Sequence, residues 1–497
     1  MNQMLNKNGL INEYPFIPIS LGFRLVFIIY FFIFIFLQNL LIVFLQNDIS
    51  LIIHFLDIIY FSLIFIPIFF YRKNYGWLHP LIFPALFSLA KSIASDPVAM
   101  FNLFFINQNE TSFQISHVLL NDISDTEIRY IHIKGQLMNI LALLSYYFGF
   151  FFFSGIGMMK LTYTLPKSNF KTKLFLIYTL SIIIFIIYVQ FRGGINAHIL
   201  SWSSGRFNAL AGDGPVFVAV KVAALAALIW FTFDFKGART SPIFWFMVIT
   251  SIPIQFLLTG SRSDGVYMSI WFLLVNMIQS KRIPGLQIGV LGFLAAILIS
   301  SLGLIRNSTY QGKVAWNKTI NEFDIGQALS QTQEEFEKRK GEVNGYLPVM
   351  AMVPDQVDYL YGESYIGAVL FFVPRYFWPS KPRGAGAMVG ELIFGRNSGA
   401  GVPPGPTGEA YWNFGIFGVI AIFLIFGRIH KTLEYYYLNN YKKKGYQLIY
   451  VITLFMLAPT SIKIVAYFQT IIPALVILWW IGALSIGKNK SLIDEHQ

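Results

Sequence analysis

The sequence predicts an all-α polytopic membrane protein of about twelve transmembrane helices, with a large, partly helical extracytoplasmic loop between spans nine and ten. Three observations predict it. Only 12% of residues are charged, against about 25% in soluble domains, so the chain lacks the polar groups to cover a surface in water. Apolar runs near the length of a bilayer crossing recur along it. The short connections between them alternate between basic and non-basic, as positive-inside topology requires.

The first run, 21–45, follows a polar, irregular stretch and is too long for a cleavable signal, so it reads as an uncleaved first span. Runs at 50–71 and 77–94 flank Arg72 and Lys73. A polar outer segment, 95–135, leads to the fourth span at 136–158. The basic connection with Lys160, Lys167, Lys171 and Lys173 precedes spans at 174–191 and 215–233, which bracket the outer segment 192–214. Lys236 and Arg239 then precede 241–258, which a tight Gly-Ser-Arg-Ser-Asp turn at 260–264 joins to 265–278. Lys281 and Arg282 lead into the ninth span at 285–305.

Residues 306–413 form the large loop; long loops translocate whatever their charge. Thr319 to Glu322 is a capping box, and Trp316, Ile320, Phe323 and Leu329 keep helical spacing behind it. The remaining spans, 414–426, 447–457 and 465–486, are separated by Arg428, Lys431 and Lys442 to Lys444 on one side. Every basic cluster then falls on one face, with both termini cytoplasmic. The chain divides into 1–305, 306–413 and 414–497.

Net charge is +12, from 37 Lys and Arg against 25 Asp and Glu. The bases sit between apolar runs, which argues for membrane topology and against nucleic acid as a partner. The absence of cysteine excludes disulfides, thiolate metal sites and a cysteine nucleophile.

Three arginines depart from the charge pattern by lying in outer connections: Arg192 in Gln-Phe-Arg-Gly-Gly, Arg206 in Ser-Ser-Gly-Arg-Phe-Asn and Arg262 in Thr-Gly-Ser-Arg-Ser-Asp-Gly. A guanidinium fork matches diphosphate oxygens bidentately, and adjacent glycine lets backbone N–H groups approach a ligand. The plainer alternative is that they cap helices or hold lipid headgroups. A second cluster, residues 373–386, interleaves Arg375, Lys381 and Arg383 with Tyr376, Phe377 and Trp378. Aromatic faces stack on sugars while the cations hold phosphate; an interfacial hairpin would show the same composition.

The third stretch, 401–415, carries Glu409 where aqueous loop meets membrane helix, with Tyr411 beside it. A carboxylate partly desolvated there becomes a useful base, although one near a helix start is also stabilised by the macrodipole. Asp264 and Asp213 are rival carboxylates in the same plane, and His198 is the histidine of the compact outer loop. No His-x-x-x-His or Asp-x-Asp run occurs in the loops, so neither a metal nor a cofactor is expected. Lys91 and Lys221 are the main intramembrane charges, without acidic relay partners.

At Leu-Thr-Gly-Ser-Arg-Ser-Asp (258–264), Pro-Arg-Tyr-Phe-Trp-Pro-Ser-Lys-Pro (374–382) and Pro-Pro-Gly-Pro-Thr-Gly-Glu-Ala-Tyr-Trp-Asn-Phe-Gly (403–415), the sequence resembles the O-antigen polymerases, also called oligosaccharide repeat-unit polymerases. The span layout extends the likeness beyond these motifs. The resemblance implies a bacterial inner-membrane enzyme and a fold like other membrane glycosyltransferases with lipid-linked donors. Its substrates would be undecaprenyl-diphosphate-linked repeat units, as donor and acceptor, and no metal is implied. Some members place glycine eleven residues after an outer-loop arginine; Arg375 and Gly386 have that spacing, and the other outer arginines do not.

On this reading Arg262, Arg375 and Arg192 stabilise the departing diphosphate, and Glu409 or Asp264 serves the acceptor hydroxyl. A ligase delivering the chain to lipid A core uses the same donor. A transporter of lipid-linked saccharide is the non-enzymatic rival, but such proteins are often built from internal repeats, and none is visible. The outer loop also offers a docking surface for a chain-length regulator.

Overall fold

The computed structural model describes residues 15–37, 39–40, 50–72, 75–87, 124–153, 161–202, 212–260, 262–285, 345–373, 375–394 and 401–486. The first helices are α1 (Leu21–Tyr30, continued as a π-helix over Phe31–Leu37), α2 (Ser50–Phe69) and α3 (Asp125–Phe152). The strand β1 (Leu161–Tyr163) precedes α4 (Phe170–Phe191) and the short α5 (Ile195–Ser201). Next come α6 (Gly214–Phe233), α7 (Phe235–Thr240), α8 (Pro242–Thr259) and α9 (Arg262–Ser280). The loop supplies α10 (Tyr346–Met352), α11 (Glu363–Val369) and α12 (Ala385–Phe394), and the chain ends with α13 (Gly405–Asn440), α14 (Lys444–Met456), α15 (Ile464–Trp480) and β2 (Leu484–Ile486).

Six of these, α2, α3, α4, α6, α8 and α13, are long and apolar enough to cross a membrane. They overlap runs read from the sequence, although α3 begins at Asp125, within the segment 95–135 read as an outer connection, and α13 extends well beyond 414–426 at both ends. The ninth span from 286 on, the capping-box helix at 319–322 and Lys91 lie outside the described residues. The architecture is not purely helical, because β1 pairs antiparallel with β2.

That pairing reveals how the molecule is polarised. It joins the 160s connection to the C-terminal segment, and Lys173 Nζ donates to Trp480 O at 2.9 Å. Lys281 Nζ donates to Pro15 O at 2.7 Å, and Lys444 donates to Gln279. The described basic connections therefore gather at one end. At the other, Lys134 Nζ donates to Met350 O at 2.8 Å, Tyr346 OH donates to Gly135 O at 2.5 Å, and Gly260 lies against Trp202.

The core contact is α3 on α13. A Cβ on Gly149 would lie 2.1 Å from Leu424 O, and one on Gly427 would lie 2.1 Å from Tyr146 O. Only glycine permits that approach, the usual basis of close helix packing in lipid. Near the basic end, Leu81 N–H donates to His79 Nδ1 at 3.2 Å. The proton of His79 therefore sits on Nε2 and is donated to Glu434 Oε1 at 3.0 Å. Lys431 Nζ donates to the other carboxylate oxygen at 2.7 Å. Sequence reading missed this buried pair, because a span ending at 426 put Glu434 in a connection. Its signal was local: Lys431 and Glu434 are three apart, on one helix face.

Candidate active site

The head of α13 is built around a break. Phe414 and Gly415 leave helical geometry, Gly415 with φ +63°, a region natural to glycine alone. There Tyr359 Oη comes within 3.0 Å of where a Cβ would stand. Carbonyls that the break frees from the helical ladder are satisfied by the loop: Leu360 N–H donates to Trp412 O at 3.0 Å and Tyr361 N–H to Asn413 O at 3.1 Å. Buried backbone groups need such partners, so the kink and the 359–364 segment fix one another.

Asn413 organises what lies beside it. Its Oδ1 accepts from Gly362 N–H at 3.0 Å, while Nδ2 donates to Ser364 Oγ at 2.8 Å and to Glu409 O at 2.7 Å. With its oxygen already accepting, the Ser364 hydroxyl directs its own proton to Glu409 Oε1, at 2.8 Å. Glu409 is thus held on one oxygen, and among the described residues nothing donates to the other. Burial, and the Glu409 carboxylate after it, push the Tyr365 phenol far up, so that neighbour stays protonated. Tyr411, a candidate sugar platform, is instead buried in the core, with Lys134 Nζ 4.9 Å from its ring centroid.

The aromatic and basic cluster forms a hairpin at the same end. Lys381 Nζ closes it by donating to Phe371 O at 2.9 Å and Val373 O at 3.0 Å. Burial, then the Arg375 charge, lower the lysine pKa. Arg383 pairs with Glu391, which leaves Arg375, with one long contact to Pro379 O at 3.5 Å, the least committed of the three. Tyr376 and Phe377 are 86% and 75% exposed and Trp378 is half-buried, consistent with either ring stacking or an interfacial seat.

Arg192 ends α4 in an ion pair with Asp213, to which Tyr188 OH also donates at 2.8 Å. Asp213 is therefore the arginine's anchor, which argues against its being a free base. His198 donates from Nε2 to Leu257 O at 2.9 Å, so Nδ1 is the bare nitrogen; it and Trp202 Nε1 are buried without partners. Burial lowers the His198 pKa most, opposed by its backbone bonds, and the ring is neutral at pH 7. Gly260 closes α8 in the left-handed region, 3.2 Å from Trp202 at its missing Cβ. Arg262 and Asp264 occupy the first turn of α9, and their side chains lie outside the described residues, as does all of Arg206.

The structure thus brings the Arg192 segment to the Gly260 turn. It also sets the hairpin beside α6, where Phe371 O stands 4.0 Å from the missing Cβ of Gly214, next to Asp213. All lie opposite the basic connections. A family model described as "Domain of unknown function (DUF8712)" matches residues 102–436. No curated protein and no solved structure matches the chain.

Proposed function

We propose that this chain, which belongs to the DUF8712 family, is a membrane glycosyltransferase that polymerises undecaprenyl-diphosphate-linked repeat units outside the bacterial inner membrane. The reading is carried by Glu409. A carboxylate at the head of a span-length helix is held by Ser364 on one oxygen, and among the described residues nothing donates to the other. In the reaction, an acceptor sugar hydroxyl attacks the anomeric carbon of the donor and gives its proton to Glu409. The bond from that carbon to the diphosphate breaks, and undecaprenyl diphosphate leaves with the bonding electrons.

Negative charge grows on the diphosphate as that bond breaks, and fixed cations lower the barrier. Arg262, Arg375 and Arg192 are assigned that task. Arg192 performs it in an orientation set by Asp213 and Tyr188. The positive-inside rule places the basic connections in the cytoplasm and this cluster outside, with the lipid-linked substrates.

The test is the purified chain with synthetic diphospholipid-linked repeat units, without nucleotide sugar or added metal. A ladder of products supports the proposal, and its absence sinks it. In cells, loss of the protein should leave single repeat units on the lipid core; bare core would instead identify a ligase.

A further inference from the structure

Between α11 and α12 the hairpin reverses the polarity expected of a loop in water. Its lysine turns inward, Lys381 Nζ being spent on the carbonyls of Phe371 and Val373. Its rings turn outward, Tyr376 and Phe377 being among the most exposed apolar side chains of the molecule. Water favours the opposite arrangement, in which the cation is hydrated and the rings are covered. Lipid favours this one, because backbone carbonyls beside it need a partner from within the protein.

The apolar exposure continues along the chain. Ile366, Val369 and Phe372, three residues apart, are all exposed and lead into the hairpin. An apolar patch of this kind marks a surface with a partner, and its position says which. Helix α11 packs against the apolar helix α15, and Phe371 O stands 4.0 Å from the missing Cβ of Gly214, the first residue of span-length α6. The patch therefore lies where spans leave the apolar layer, the level at which aromatic side chains gather in membrane proteins. A sugar platform suits the rings less well. Tyr376 and Phe377 stand at 86° to one another, so they present no common face, and among the described residues no wall covers either, whereas small-molecule sites are concave.

We infer that the hairpin is a membrane anchor, whose Tyr376 and Phe377 seat in the phospholipid leaflet at this end of the molecule and hold Arg375 at the level of the lipid phosphates. The inference is independent of the reaction proposed above. The chain has no cysteine, so a single spin label can be placed through Tyr376→Cys or Phe377→Cys in the full chain, reconstituted in vesicles of phosphatidylethanolamine and phosphatidylglycerol. Leu180→Cys, exposed on α4, gives the lipid reference, and Lys443→Cys, exposed in the connection after α13, gives the water reference. Relaxation of each label by oxygen and by a nickel chelate reads its depth. Both hairpin labels should show oxygen-to-nickel ratios between the two references, as expected about 5–10 Å into the headgroup boundary. Because both rings are exposed, neither substitution disturbs the core. Ratios at both positions equal to that of Lys443→Cys overturn the inference. So does nickel access that is lost only when a diphospholipid-linked saccharide is added, which would make the rings a sugar platform.

Discussion

The Ser364 hydroxyl donates to Glu409 Oε1 across 2.8 Å, and Asn413, four residues further along the same helix, orients that hydroxyl. The seven-residue helix Glu363–Val369 is thereby tied to the head of α13 at Glu409, the carboxylate proposed to serve an acceptor hydroxyl.

Glu409→Gln keeps the shape and the Ser364 contact and removes the base. Polymerisation by the purified chain should fall by about 10²–10⁴. Ser364→Ala should lose less, because one hydrogen bond contributes about 1 kcal/mol. Equal rates for Glu409→Gln and the parent chain would assign the base elsewhere, with Asp264 next in line.

Arg262→Lys retains charge but loses the planar fork that matches a diphosphate. A rate reduced by about 10²–10³ is expected. A variant polymerising at the parent rate would remove the turn at Gly260 from the mechanism.

Arg192 and Asp213 should behave as one unit. In thermal unfolding, Arg192→Gln and Asp213→Asn should each destabilise, and the double variant should be little worse than either. The coupling expected of a partly exposed pair is up to about 1 kcal/mol. Strictly additive losses would show that the pair does nothing for the fold.

Gly427→Ala drives a methyl group into Tyr146 O and should cost at least about 2 kcal/mol through overpacking, seen as a lower melting temperature and yield. Gly384→Ala, with nothing within 4 Å of the new atom, is the control and should be neutral. Similar melting temperatures for the two variants would contradict the close crossing of α3 and α13.

Asp234, between α6 and α7, has its pKa lowered below 3.8, chiefly by the hydrogen bond from Lys171, with help from Gly237 N–H and against burial. Its contribution is complete above the unfolded-state value near 4 and disappears as pH falls through the lower folded value. Lys171 is 47% exposed, so screening keeps the effect below about 1 kcal/mol. Melting temperatures measured from pH 6 down to pH 3 should show a shallower acid decline for Asp234→Asn. Identical slopes would refute the assignment.

The membrane character and the positions of α2, α3, α4, α6 and α8 were readable from the chain because hydropathy and length are local properties. So was the grouping of the basic connections, which β1–β2 pairing and the Lys281–Pro15 contact now bring to one end. Less readable was α13: its break at Gly415 made the aqueous head look like loop, and its far end, rich in charge and tyrosine, looked like a connection. Among candidate residues, the types were visible but their commitments were not. Nothing in the hairpin sequence says that Lys381 is spent on two carbonyls while Arg375 is nearly unengaged.

By itself, then, the order of residues determined an apolar helical protein with cations sorted between its ends, since a bilayer tests each segment separately for burial and charge. The folded arrangement decided which polar groups meet: Ser364 with Glu409 across 45 positions and His79 with Glu434 across 355. Such pairings depend on where helices cross, and a crossing is set by side-chain shape on two distant segments at once, which no local pattern in either one encodes.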